Sequence, residues 1–171
     1  ITDDRESLFQ GAAEKLQQPV KRIGILGSGS SYIASMAAAD FYGKMLGLEA
    51  AAVVPTRLDG LLRLLNPEET LLIAVSQSGR STSTIDAVKK WKACGFRILA
   101  VTADEQTPVA KESDVHQFIA CGEETVGPKT KGMTATVLTL YLLGLALGSA
   151  WNLGDQGASD HFLEELNQAI D

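Results

Sequence analysis

The chain has 171 residues, of which 45% are hydrophobic, and its formal net charge is −6. This length is sufficient for one domain with a sizeable core, and the composition excludes a disordered chain. The negative charge argues against broad binding of nucleic acid or an anionic membrane, but local N–H groups can still bind a small anion. The two cysteines are Cys94 and Cys121, and neither is separated from a histidine by a spacing typical of metal-binding motifs. We predict both as small core residues in a reducing, cytoplasmic setting, with no metal site and no disulfide framework.

Hydrophobic periodicity predicts strands that alternate with helices along the chain. In chain order the predicted elements are helix 5–18, strand 23–26, helix 32–46, strand 50–54, helix 58–65, strand 71–75, helix 85–94, strand 97–102, a short helix from Pro108, strand 115–120, helix 130–150 and an amphipathic tail helix 160–171. This alternation is typical of a parallel sheet with helices on both faces. We predict a single α/β domain over residues 1–171, with a doubly wound five-stranded sheet in the order 2-1-3-4-5. The N-terminal helix falls within residues 1–19.

Small hydroxyl residues surround a glycine directly after the third predicted strand. Ser76, Gln77, Ser78 and Gly79 follow this strand, and Ser81 stands just before the next helical pattern. A helix N-terminus presents unpaired N–H groups and the positive end of the helix dipole, and glycine lets the backbone approach a ligand. We interpret this loop as a phosphate site. The alternative is that the hydroxyls only cap a helix, as Ser and Thr often do.

A second hydroxyl-rich loop follows the first predicted strand. It contains Gly27, Gly29, Ser30 and Ser31. In the predicted order strands 1 and 3 are neighbours, and ligands of such folds bind outside the C-terminal ends of the strands at this switch point. The two loops are therefore expected to line one crevice.

The sequence motifs of other ligand-binding sites are incomplete or absent in this chain. Gly27 and Gly29 begin a dinucleotide fingerprint, but Tyr32 occupies its third glycine position, and Val54 and Pro55 stand where a ribose-binding acid is needed. No Gly-Lys-Ser/Thr follows a glycine loop, so a P-loop is excluded. Neither His116 nor any other histidine is placed to activate a serine nucleophile. We expect no cofactor.

The segment 133–153 has no charged residue and contains a GxxxG at Gly144 and Gly148. It is long enough to cross a membrane. Because it follows strands that need covering, we interpret it as a buried helix in the core or at a subunit interface.

The motifs together resemble the sugar isomerase (SIS) phosphosugar-binding domain. They are Gly-Ser-Ser-Tyr at 29–32, Ser-Gln-Ser-Gly at 76–79, Lys-Glu-Ser-Asp at 111–114 and the stretch 124–131. The resemblance covers residues 20–148, and its Ser-Gln-Ser-Gly form is most similar to the first domain of the isomerase half of glucosamine-6-phosphate synthase and to fructosamine-phosphate deglycases. It implies a flavodoxin-like fold and a sugar phosphate partner such as fructose 6-phosphate or glucosamine 6-phosphate. The site residues it implies are Ser30, Ser31, Ser76, Gln77, Ser78, Gly79, Ser81, Gly127 and Lys129.

The resemblance also implies where the chemistry lies. In the synthase-like enzymes two such domains are fused, and the catalytic Glu, the ring-opening His and a carbonyl-reactive Lys belong to the second domain or its tail. Residues 160–171 resemble the connector into that second domain. Within this chain Glu124 is the candidate base, with a structural loop contact as its alternative role. We therefore expect part of an isomerase, deglycase or aminotransferase that pairs with a second domain or a second copy, or alternatively a non-catalytic phosphosugar sensor.

Overall fold

The computed structural model describes residues 5–122 and 130–170, and this part of the chain contains seven α-helices and five β-strands. The helices are α1 (Arg5–Lys15), α2 (Ser30–Leu46), α3 (Leu58–Leu62), α4 (Thr82–Ala93), α5 (Pro108–Glu112), α6 (Lys131–Trp151) and α7 (Gln156–Ile170). The strands are β1 (Arg22–Leu26), β2 (Glu49–Val53), β3 (Thr70–Val75), β4 (Arg97–Thr102) and β5 (Val115–Phe118). Two short 3-10 turns, Pro55–Arg57 and Pro67–Glu69, flank α3.

The strands form one parallel sheet in the order β2-β1-β3-β4-β5. Leu26 at the end of β1 pairs with Val53 of β2 on one side and with Ala74 of β3 on the other. The predicted doubly wound α/β fold is therefore confirmed. Its switch point lies between β1 and β3, as the sequence indicated.

Two apolar cores lie on opposite faces of the sheet, and β3 contributes to both. Leu71, Ile73 and Val75 pack into the core beneath α1, α2 and α6. Leu72 and Ala74 pack into the other core, with residues of α4 and α5. All six residues of β3 are buried, as expected for a central strand of a parallel sheet that helices cover on both faces.

The long apolar helix α6 packs against α2, and small residues allow the close approach. A Cβ added at Gly144 would overlap the ring of Tyr42, and one added at Gly148 would overlap Leu46. The hydroxyl of the buried Tyr42 donates a hydrogen bond of 2.7 Å to the carbonyl of Leu140 in α6. This burial raises the pKa of Tyr42 far above its ordinary value. Among the described helices α6 is long and apolar enough to cross a membrane, but its buried face lies against α2 and α1.

Several predicted element ends differ from the structure. Helix α4 begins at Thr82 and not at residue 85, and α7 begins at Gln156 and not at residue 160. In both cases the first turn consists of polar or small residues, so hydrophobic periodicity gave no signal there. The third helix ends at Leu62 and β5 ends at Phe118, both earlier than predicted.

The two cysteines have different environments. Cys121 is 7% exposed, which confirms the prediction of a small core residue. The same prediction for Cys94 is wrong, because this residue is exposed at the end of α4. Trp91, one helical turn earlier, fills the core position there and is 1% exposed.

Candidate functional site

The first loop of the site turns sharply from β1 into α2. A Cβ at Gly27 would lie 2.5 Å from the carbonyl group of Ser31, so only glycine fits this turn. Gly29 has φ 57° and precedes the helix, which places Ser30 and Ser31 in the first turn of α2. Ser30 is exposed and Ser31 half-buried. The sequence placed both serines in a loop, so their position at the start of the helix is a correction.

The second loop connects β3 to α4 beside the first. The N–H of Ser76 continues the sheet by donating to the carbonyl of Val101, and this serine is 5% exposed. The chain then turns at Gly79, which has φ 61°. Ser78 and Arg80 are exposed, and Ser81 precedes α4. Because β1 and β3 are paired, strand spacing places the starts of the two loops about 5 Å apart.

The serine hydroxyls do not act as helix caps. Ser81 occupies the N-cap position of α4, but its side chain makes no capping hydrogen bond and instead faces the hydroxyl of Ser83 at 3.2 Å. Ser78 accepts a long hydrogen bond of 3.4 Å from the N–H of Arg80, which precedes the helix. At the start of α2 the N-cap is Gly29, which has no side chain. The capping interpretation of these hydroxyls is therefore wrong.

The segment after β4 supports the second loop. Ala103 donates its N–H to the carbonyl of Gln77 at 3.0 Å, and Val109 donates to the carbonyl of Gly79 at 3.1 Å. The side chain of Thr107, 1% exposed, packs directly on Gly79. Its hydroxyl donates to the carbonyl of Asp104 at 2.8 Å. No sequence pattern predicts this support, because it depends on contacts between separate loops.

Gln77 points toward the start of α6. Its side-chain nitrogen donates to the sulfur of Cys121 at 3.4 Å, and a Cβ at Gly132 would overlap its amide. The site thus includes the starts of three helices, α2, α4 and α6. Of the remaining predicted site residues, Glu124, Gly127 and Lys129 lie outside the described residues.

The histidines lie in other surroundings. Thr102 donates its hydroxyl proton to the carbonyl of Asp104 at 2.7 Å, so it accepts from His116 Nε2 at 2.9 Å. Burial lowers the pKa of His116, so this imidazole is mainly neutral at pH 7. His161 faces Glu165 on the exposed side of α7. His116 is therefore a structural residue and His161 a surface residue, and neither contact involves a serine of the two loops.

Described residues also form two open grooves outside the crevice. One, with a volume of about 600 Å³, lies between α1, α7 and the C-terminal half of α6. Of the α6 residues that line this groove, Leu142 lies nearest to the helix start, and at 1.5 Å per residue it is roughly 16 Å along the axis from that start. The other, about 560 Å³, runs beside β2 and is lined by Tyr32 and Arg57. Tyr32 directly follows Ser31, so this second groove adjoins the crevice.

Comparison with known families decides what kind of domain this is. The model of the SIS domain matches residues 17–146, which is most of the chain. The chain belongs to the SIS domain family. The resemblance inferred from the serine motifs is therefore confirmed.

The relatives of this SIS domain act on or bind sugar phosphates, according to their names. A glutamine–fructose-6-phosphate aminotransferase (isomerizing) of Xylella fastidiosa is 28% identical over 162 residues, which cover 94% of this chain and 26% of that protein. A crystal structure from Clostridium difficile, assigned as a phosphosugar isomerase, superposes with a TM-score of 0.84 at 28% identity and covers 96% of this chain and 46% of that one. The chain thus spans about a quarter of the curated relative.

A protein solved with a bound sugar phosphate has the same fold. The NanR protein of Vibrio vulnificus in complex with ManNAc-6P superposes with a TM-score of 0.72 at 19% identity, covering 96% of this chain and 61% of that one. At this identity the likeness extends to the fold alone.

Proposed function

We propose that this SIS domain binds the phosphate of a phosphorylated sugar or amino sugar, such as fructose 6-phosphate or glucosamine 6-phosphate, in the crevice between β1 and β3. The observation that carries the proposal is the convergence of two hydroxyl-rich loops whose serines are not used as helix caps. The proposed binding residues in the described part are Ser30, Ser31, Ser76, Gln77, Ser78, Gly79 and Ser81. Gly127 and Lys129 are proposed from the sequence alone.

The electrostatics of the helix starts support an anionic ligand. None of α2, α4 and α6 has an acidic residue in its first turn. The positive ends of their dipoles are therefore not neutralised by their own side chains, although the chain as a whole carries a net charge of −6. A dianionic phosphate fits this arrangement better than a neutral sugar does.

Thermal unfolding tests the proposal with matched ligands. We expect glucosamine 6-phosphate to raise the melting temperature, because a ligand that binds only the folded state stabilises it by mass action. Unphosphorylated glucosamine at the same concentration should leave the melting temperature unchanged. Equal shifts with both compounds would refute the phosphate assignment.

Replacing one loop hydroxyl should weaken binding. We expect Ser78→Ala to raise the dissociation constant for the sugar phosphate by tenfold or more, since a hydrogen bond to a charged group contributes about 1.5–3 kcal/mol. Isothermal titration calorimetry measures this change. Ser159→Ala on α7 is the control, because that hydroxyl donates to the carbonyl of Asp155 just before α7, away from the crevice. A dissociation constant unchanged by Ser78→Ala would exclude a direct contact.

We further propose that the domain is part of an isomerase, a deglycase or an aminotransferase whose catalytic Glu and His lie outside this chain. The similarity to the aminotransferases supports this assignment. A phosphosugar sensor is the second candidate, because neither loop of the proposed crevice, 27–31 or 76–81, contains an Asp, Glu or His that could act as a base. Little isomerase turnover by the chain is expected under both. Robust turnover would instead assign the base to a residue such as Glu124.

Pairing with a second copy or a second SIS domain is also part of this proposal. The outer side of α6 carries half-buried apolar residues, including Leu142 and Leu145, that line the groove beside α1 and α7. Burying this apolar surface would favour association. Sedimentation velocity over a range of concentrations tests it, and a monomer at every concentration would contradict self-pairing.

A further inference from the structure

The side chain of Gln77 is held from two sides by residues that the family motifs do not include. Cys121, just after β5, contacts the amide nitrogen through its sulfur at 3.4 Å. Gly132, in the first turn of α6, lies so close that any Cβ there would overlap the amide group. Two elements distant in sequence therefore meet on one side chain of the proposed binding loop.

The hydrogen bonds of Cys121 determine which way the amide of Gln77 is turned. The thiol donates its proton to the carbonyl of Gly122 at 3.4 Å. A thiol has one proton, so the sulfur can only accept a hydrogen bond from Gln77. An acceptor must face the amide nitrogen and not the amide oxygen. The sulfur thus favours one of the two amide orientations that are otherwise hard to distinguish.

The surroundings also restrict where the side chain can go. Cys121 is 7% exposed, and Gln77 is half-buried. The backbone carbonyl of Gln77 is fixed by the N–H of Ala103 at 3.0 Å. With the backbone fixed and the amide held, the side chain loses the rotamer freedom that an exposed glutamine would keep.

We propose that Cys121 and Gly132 are positioning residues that hold the Gln77 amide in one orientation and thereby prepare it to contact the bound sugar phosphate. This inference rests on the proposed function, because it assigns a purpose to a side chain of the proposed site. In this proposal Cys121 acts through Gln77 and not by contacting the ligand. Pre-ordering of this kind changes the dissociation constant by about threefold to tenfold, as expected for one immobilised side chain.

The first measurement uses the ligand-free protein. The side-chain ¹⁵NH₂ resonances of Gln77 are assigned by NMR in the wild type and in Cys121→Ala, Cys121→Ser and Cys94→Ala. We expect Cys121→Ala to shift these resonances and speed their exchange with water. Cys121→Ser should largely restore them, because a hydroxyl can donate and accept in the same way. Cys94→Ala is the control, since Cys94 is exposed at the end of α4.

The second measurement is a double-mutant cycle with glucosamine 6-phosphate. If Cys121 acts through Gln77, Cys121→Ala weakens binding in the wild type but has no further effect in a Gln77→Ala background. Gly132→Ala should weaken binding too, and likewise lose its effect once Gln77 is truncated. Additive effects would overturn the inference, as would Gln77 resonances that Cys121→Ala leaves unchanged. Absence of binding by the wild type would refute the proposed function, while the resonances still decide whether Cys121 orients the amide.

Discussion

Gly79→Ala is expected to abolish detectable binding of sugar phosphate at millimolar concentration. Gly79 has φ 61°, and an added Cβ would overlap the side chain of Thr107. The left-handed conformation alone costs an alanine about 1–2 kcal/mol, and the overlap with the buried Thr107 adds to this cost. The loop can relieve both only by moving its backbone, which displaces the hydroxyls of Ser76 and Ser78. Calorimetric titration with glucosamine 6-phosphate measures the loss.

Gly95→Ala is the matched control for backbone strain. Gly95 also has positive φ, 83°, but an added Cβ meets nothing within 4 Å there, and it lies between α4 and β4. This variant should lose about 1–2 kcal/mol of stability and keep its affinity. If Gly79→Ala bound as tightly as Gly95→Ala, the loop after β3 would not be the phosphate site.

Gly144→Ala is expected to lower the free energy of unfolding by about 2–3 kcal/mol. The added methyl group would overlap the ring of Tyr42, which is fully buried between α2 and α6. Relief of the overlap separates the helices and strains the hydrogen bond from Tyr42 to the carbonyl of Leu140. Overpacking of this kind typically costs about 1–3 kcal/mol, and loss of the buried hydrogen bond adds about 1 kcal/mol. The higher helix propensity of alanine offsets about 0.5–1 kcal/mol of this cost. Urea denaturation followed by circular dichroism measures the change.

Gly43→Ala is the comparison at an exposed position of α2. Gly43 is exposed, and an added Cβ would make only an ordinary contact of 3.8 Å with the carbonyl of Leu48. Alanine is the better helix former, so this variant should be more stable by about 0.5–1 kcal/mol. If Gly144→Ala left the free energy of unfolding unchanged, or raised it as Gly43→Ala is expected to do, the close packing of α2 on α6 would be contradicted.

The sheet could be predicted from the sequence because its signals are local. Residues 71–75 of β3 form a continuous apolar run, which is typical of strands buried in a parallel sheet. The alternation of strands and helices then leaves few topologies, which is why the order of the five strands was correct. Helix starts such as Gln156 were missed, because polar first turns carry no hydrophobic period.

The site was predicted only as far as its motifs extend. Ser76 and Ser78 stand in a recognisable pattern, and the pairing of β1 with β3 places the two loops side by side. The contacts of Thr107 with Gly79 and of Cys121 with Gln77 could not be predicted. They join residues tens of positions apart, and neither Thr107 nor Cys121 belongs to a motif with a known mechanism.

An NMR titration of backbone amides with fructose 6-phosphate tests the central proposal most directly. We predict that the largest ¹H–¹⁵N shifts fall at the starts of α2 and α4, on Ser30, Ser31, Ser78 and Ser81, because these residues border the proposed phosphate position. Fructose at the same concentration should leave these resonances in place. Shifts confined to the groove between α1, α6 and α7, or equal shifts with fructose, would contradict a phosphate site between β1 and β3.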